Sequence, residues 1–193
     1  MATSAKIIAV KVLSDQGSGA YSDIISGVNW AYNRYRSTRR PSIATMSLGG
    51  PSSTALDTTI RNAINGGLHF TVAAGNSAKD ASSTSPARVV PANTVGASDG
   101  TNKIASFSNY GSILDVFAPG VNILSAWIGS TTATARLSGT SMATPYVAGI
   151  LAVALGEYGQ MSPATLSSSL KSHAKAVITG QPAGTTRLKA TLW

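Results

Sequence analysis

The chain is 193 residues long, with a formal net charge of +8, 43% hydrophobic and 11% charged residues, and 19 glycines. That balance suits one compact domain with a sizeable core and tight turns and excludes a disordered tail. The absence of cysteine excludes disulfides and thiolate metal sites, and no apolar run approaches the roughly 18–20 residues that cross a bilayer.

Taken in chain order, Met-Ala-Thr-Ser opens directly into Lys6–Leu13, with no charged stretch, apolar stretch and cleavage site of a secretory signal. Lys6–Leu13 is short, apolar and β-branched and reads as a buried strand. Gly17, Ser18 and Gly19 follow as a flexible link, Ser22 reads as a helix N-cap, and Asp23 places charge suited to the first turn. Ile24, Val28, Ala31 and Tyr35 then fall on one helical face. Fifteen Lys and Arg face seven Asp and Glu, but the one basic cluster is Arg34, Arg36, Arg39 and Arg40. Cations at a helix end are favourable against its dipole, so this footprint does not argue for a nucleic-acid partner.

Ile43–Leu48 reads as the next strand, ending at Gly49-Gly50. A second helix carries Leu56, Ile60, Ala63 and Ile64 on one side and stops at Gly66-Gly67. Leu68–Ala74 is a further apolar strand, and shorter ones are predicted at Thr94–Ala97, Ile113–Phe117 and Ile123–Ile128. Helices over Thr140–Glu157 and Pro163–Ala174 close the pattern, the second with Ser162 as cap and Pro163 in first position. Strands alternating with helices predict an α/β fold in which a parallel sheet is joined by right-handed crossovers. Functional loops then gather at the carboxyl ends of the strands, here Gly17–Gly19, Ser47–Gly50 and Ala73–Asn76.

The chemistry concentrates in Ser138–Gly149, S-G-T-S-M-A-T-P-Y-V-A-G. Ser141 sits between a glycine turn and an apolar helix, where backbone N–H groups point at developing negative charge. Taken alone it is equally an ordinary capping serine. The stretch resembles the nucleophile motif of the subtilisin superfamily, most closely its proteinase K-like branch. Further segments resemble that family in the same order: K-V-L-S-D-Q-G-S-G at Lys11–Gly19, M-S-L-G-G at Met46–Gly50 and V-A-A-G-N at Val72–Asn76. T-V-G-A-S at Thr94–Ser98, S-F-S-N-Y-G at Ser106–Gly111 and F-A-P-G at Phe117–Gly120 complete the likeness, which fades after about Ala174.

The resemblance implies a three-layer parallel sheet with helices on both faces and a serine endopeptidase working through an acyl-enzyme. It makes Ser141 the nucleophile and Asn76 the side-chain donor to the oxyanion. Gly17, Ser18 and Gly19 on one side, and Ser47, Leu48 and Gly49 on the other, would flank an extended polypeptide substrate. Ala73, Ala74 and Gly75 would line the pocket for the side chain before the cut bond. A structural calcium is implied at Asp115 with the carbonyls of Val90 and Ala92, although Asp115 serves equally to cap a turn. An extracellular location is implied in the same way, with no membrane partner.

What the resemblance leaves unfilled is the rest of the triad. A serine nucleophile needs a base and an acid that orients it. His69 lies within a predicted buried strand and His173 near a helix end, and neither matches the family's catalytic position. In the family the acid-bearing strand and the histidine-bearing helix precede the segment resembling Lys6–Leu13, so residues 1–193 are expected to be one partial peptidase domain missing both. Tyr146 stands where the family motif usually has histidine, a change that bears on packing. In a subtilisin itself, losing the serine or histidine costs roughly 10⁶ in turnover, about as much as losing the triad. The chain alone is therefore expected to be inactive, and with the sheet left open between Lys6–Leu13 and Ile43–Leu48 it is expected to be marginally stable, to rearrange its sheet or to depend on another chain. The alternative is a non-catalytic relative that binds extended peptides.

Overall fold

The computed structural model describes residues 2–193, whose first regular element is α1, Tyr21–Thr38. Ala20, and not Ser22, occupies its N-cap and supplies no side-chain bond. Asp23 falls in the first turn as expected, and Ile24 and Val28 form the buried stripe. Strand β1 (Ile43–Met46) and the two-residue β2 (Gly50–Pro51) lead into α2, Thr54–Asn65, which Ser53 caps through the Leu56 N–H. Leu56, Ile60, Ala63 and Ile64 are buried, and the helix ends at Gly66. Gly67 has φ +103°, and a side chain there would collide with the Tyr35 hydroxyl of α1, so this turn requires glycine twice over.

Strand β3 (His69–Ala73), the short β4 (Thr84–Ser85), β5 (Asn93–Ser98) and β6 (Val116–Pro119) follow. A hairpin of β7 (Ile123–Ala126) and β8 (Thr134–Leu137) precedes α3 (Thr140–Tyr158) and α4 (Pro163–His173). The main sheet runs β1-β3-β5-β6 in parallel, with Ile43 opposite His69, Val72 opposite Thr94 and Val95 opposite Val116. It is extended by β10 (Leu188–Lys189), parallel to β6, and by β9 (Lys175–Ala176), antiparallel to β10. These last two strands lie where the sequence likeness fades.

Burial explains the layering. Phe70 and Val72 of β3 pack with Met46 against Ile24, Val28, Leu56 and Ile60 of α1 and α2. Val95, Ala97, Val116 and Ala118 pack against Val147, Ile150, Leu151 and Leu166 of α3 and α4 on the other face. The result is the expected three-layer α/β arrangement. Helix α3 meets β1, β3, β5 and β6, and its apolar residues surround it because it lies across the sheet's centre.

Three expectations are corrected. Lys6–Leu13 is not a strand, and Ile7 is 85% exposed. Val10 and Val12 lie over Gly27 of α1, but their backbone pairs with no strand. A parallel ladder needs a neighbouring strand to take its N–H and C=O groups, and β1 is the edge of the sheet. The strand placed at Ile113–Phe117 begins only at Val116, because Leu114 and Asp115 turn into it from Gly111. The strand placed at Ile123–Ile128 stops at Ala126, where the chain turns into its hairpin.

Candidate active site

The site forms where the ends of β1 and β3 meet the start of α3. Thr140, the first residue of α3, is fully buried and works as a hub. Its N–H and its hydroxyl both donate to Asn76 Oδ1, at 2.8 and 2.9 Å. Its Oγ1 also accepts the Gly75 N–H at 3.2 Å. With Oδ1 doubly occupied, the Asn76 amide has one orientation, and its Nδ2 is turned away from Thr140.

Helix geometry sets the rest. The first N–H groups of a helix have no partner within it. The Thr140 N–H goes to Asn76 and the Met142 N–H to the Gly139 carbonyl, and the Ser141 N–H has no partner among the described residues. A Cβ placed on Gly139 would lie 3.4 Å from Asn76 Nδ2 and 3.6 Å from Ser141 N, so both donors border one small space that glycine keeps open. No acidic residue sits in the first turn of α3 to oppose negative charge there.

Four residues after Ser141 stands Pro145, which has no N–H. The Ser141 carbonyl therefore lacks its helical partner, and the Ser47 hydroxyl supplies one at 2.8 Å. Ser47 comes just after β1 and fastens that loop, with Leu48 and Gly49, to Ser141.

Sequence reading noted S-F-S-N-Y-G as a likeness but gave Asn109 no task, and the structure gives it one. Buried to 1% exposure, Asn109 donates from Nδ2 to the Ala74 carbonyl at 2.8 Å. Its Oδ1 accepts the N–H groups of Ser77 and Lys79 at 3.0 and 3.2 Å. The Asn109 N–H donates to the Gly75 carbonyl at 2.9 Å. Gly75 has φ +105°, and a Cβ on it would strike the Asn109 amide, so glycine and asparagine are matched to one another. The loop Ala73–Lys79 is thus held from both sides, by Thr140 and by Asn109.

The structure brings Ser141, Asn76 and Ser47 together, with Leu48, Gly49, Ala73, Ala74 and Gly75 in the loops that carry them. Ala73 and Ala74 are buried and Gly75 is half-buried. Gly17, Ser18 and Gly19 are exposed in a separate turn, closed by Ser14 N–H to the Ser18 carbonyl at 2.8 Å. That turn leads into Tyr21, whose hydroxyl donates to the Pro51 carbonyl after the Ser47 loop.

The histidines lie elsewhere. His69 opens β3 whereas Asn76 follows its far end, so the strand's length separates them, about 16 Å at 3.3 Å per residue. Burial pushes its imidazole below the ordinary pKa, an effect opposed by a bond to the Met161 backbone. His173, at the end of α4, stacks on Trp193 and shares its Nδ1 with the Ser169 carbonyl.

The residues implied in calcium binding also lie at the amino ends of the strands, away from Ser141. Asp115 precedes β6, and burial raises its carboxyl pKa despite two favourable partners. Its Oδ2 accepts the Thr94 N–H at 2.9 Å and its Oδ1 the Lys171 ammonium at 3.0 Å. Val90 is 76% exposed and Ala92 is buried in the loop before β5. Among the described residues no three acidic, histidine or cysteine side chains gather to hold a metal. Calcium takes six to eight oxygens, and both oxygens of the one carboxylate here are already engaged, by the Thr94 N–H and the Lys171 ammonium.

Comparison with known proteins places these features in a wider set. Residues 1–189 match the subtilase family of peptidases. The chain is 49% identical over 172 residues to a subtilisin-like protease 2 of Pseudogymnoascus destructans, covering 89% of this chain and 42% of that one. It is 51% identical over 161 residues to an extracellular serine proteinase of Thermus sp., covering 83% of this chain and 38% of that one. A crystal structure of a cold adapted subtilisin-like serine proteinase superposes with a TM-score of 0.88 at 46% identity, over 93% of this chain and 64% of the other. The chain therefore spans about two-fifths of the length of these curated relatives.

Proposed function

The chain belongs to the subtilase family of serine proteases, and from that premise we propose that it is the nucleophile-bearing part of an endopeptidase, completed by a base and an acid from outside these residues. The observation that supports this reading is the pair of donors at Gly139. Asn76 Nδ2 and the Ser141 N–H border one space at Gly139, and two such donors suit the oxyanion of a tetrahedral intermediate. A module that only held peptides would not need them.

In this reading an extended polypeptide lies along Ser47–Gly49 and Gly17–Gly19, with the side chain before the cut bond toward Ala73, Ala74 and Gly75. The Ser141 hydroxyl adds to the carbonyl carbon once an imidazole takes its proton. The charge formed on oxygen is met by Asn76 and the Ser141 N–H, and the amine leaves as the same imidazole returns the proton. Neither histidine of this chain stands at Ser141, so the isolated chain is inactive. A secreted setting accords with the extracellular proteinase among its relatives.

Exposed apolar surface supports a missing complement as well. Ile7, Ile8, Val10 and Trp30 around α1, and Trp127 and Ile128 on the hairpin, are exposed, a pattern that marks an interaction face.

The test is labelling by a fluorophosphonate probe, comparing this chain alone with the chain plus a family segment carrying the acid strand and histidine helix. Labelling of Ser141 only in the mixture is the expected result. Labelling of the chain alone would refute the need for an external base. Silence in both, from folded protein, would make the chain a non-catalytic peptide binder.

A further inference from the structure

We propose that Lys171 takes the place of a metal ion at Asp115, so that this chain holds α4 to the sheet with a cation of its own and has no need of calcium there. Asp115 is a carboxylate in a near-closed setting, its side chain 14% exposed. It stands at the mouth of β6 with one oxygen committed to the Thr94 N–H of β5. Its other oxygen meets Lys171 at 3.0 Å. That lysine lies in the last turn of α4, 56 residues away in sequence.

Charge arithmetic carries the argument. The seat pairs one carboxylate with one ammonium, and among the described residues no three acidic, histidine or cysteine side chains gather there to hold a metal. A divalent ion entering here would have to expel the ammonium and leave a net positive charge in a partly buried place, which is costly. A tethered ammonium also competes at high effective concentration, since the fold itself delivers it. Lys171 lies in the last turn of the helix whose Leu166 and Leu170 are fully buried against the sheet, so the ion pair ties that packed helix to the residue before β6. A lysine near the carboxyl end of a helix also suits its dipole.

The experiment uses the full chain, with terbium luminescence to read metal binding and thermal melts in EDTA or in millimolar calcium to read stability. The wild-type chain is expected to bind terbium no better than an Asp115→Asn variant and to melt at the same temperature in both buffers. Lys171→Met, which keeps the stem and removes the charge, is expected to melt lower in EDTA. It should regain stability with calcium and bind terbium at least about tenfold more tightly; adding Asp115→Asn should abolish that gain. Lys171→Arg should behave like wild type. Calcium-dependent melting of the wild-type chain overturns the proposal, as does a folded Lys171→Met variant that gains no metal affinity. The wild-type comparison stands even if that variant does not fold. Serine labelling plays no part in these readouts, so their outcome is separate from that of the catalytic reading.

Discussion

The Asn76 amide is fixed by what its oxygen accepts from Thr140, and in the proposed function its Nδ2 is the oxyanion donor. Asn76→Asp keeps the oxygen that Thr140 binds but puts a second oxygen where Nδ2 lies. In the completed enzyme its labelling rate should fall by at least the roughly 10²–10³ established for loss of this donor in a subtilisin and carried over here. Folding should change little, and a rate within a few-fold of wild type would remove Asn76 from the mechanism. Asn109 is the opposite case, a residue buried to 1% exposure that holds the loop. Its removal in Asn109→Ala leaves the Ala74 carbonyl and two N–H groups without partners, at a cost of about 2–4 kcal/mol in a urea melt. A loss below about 1 kcal/mol would mean that the loop keeps its shape unaided. His69 yields a prediction about pH. Its pKa in the fold lies below 6.5, so above that pH it is neutral both folded and unfolded and contributes no pH dependence. As pH falls below about 6.5 the unfolded chain binds a proton that the buried ring resists, and stability falls, by at most about 1.4 kcal/mol per unit. Urea melts of wild type and His69→Gln between about pH 7 and pH 5 should show the steeper acid-side loss in wild type; equal slopes would contradict it.

At the scale of elements, the contrast lies between β3 and Lys6–Leu13. Both are apolar and β-branched, and both read as buried strands. Strand β3 has neighbours on each side, β1 and β5, whereas Lys6–Leu13 has none. Hydrogen exchange should therefore find the amides of Phe70–Val72 among the slowest and those of Ile7–Val10 among the fastest; protection of Ile7–Val10 in the chain alone would show a pairing absent from this fold. Periodicity reports that a segment is fit to be a strand, but only a partner makes it one. The same limit hid β9 and β10, two residues each, too short to carry a pattern. Helices were more legible because their hydrogen bonds are internal. Ser162, Pro163 and the apolar spacing of α4 sufficed, and Gly66-Gly67 marked the end of α2. Ser22 misled only because the preceding Ala20 already had the extended backbone of a cap.

For the whole molecule, the question is how much of its stability depends on surface that the fold leaves uncovered. The edge of β1, the unpaired Lys6–Leu13 and the exposed Ile7, Trp30, Trp127 and Ile128 leave apolar surface and backbone groups open to water. Supplying the acid-bearing strand and histidine helix should raise the melting temperature, sharpen the transition and protect the amides of Ile43–Met46. A chain that already melts cooperatively and gains nothing from the complement would refute this dependence.

Sequence by itself determined the family and the alternation of strands and helices, because each rests on local order: motif spacing, caps and apolar periods. It also showed that neither histidine sits in a catalytic motif. Only the tertiary structure decided that Thr140 orients the Asn76 amide, that Asn109 grips the loop from 35 positions away, that Ser47 answers the carbonyl freed by Pro145, and that Lys171 reaches Asp115. Those are contacts between side chains whose separation in sequence carries no period, so they exist only once the sheet has brought its strand ends together.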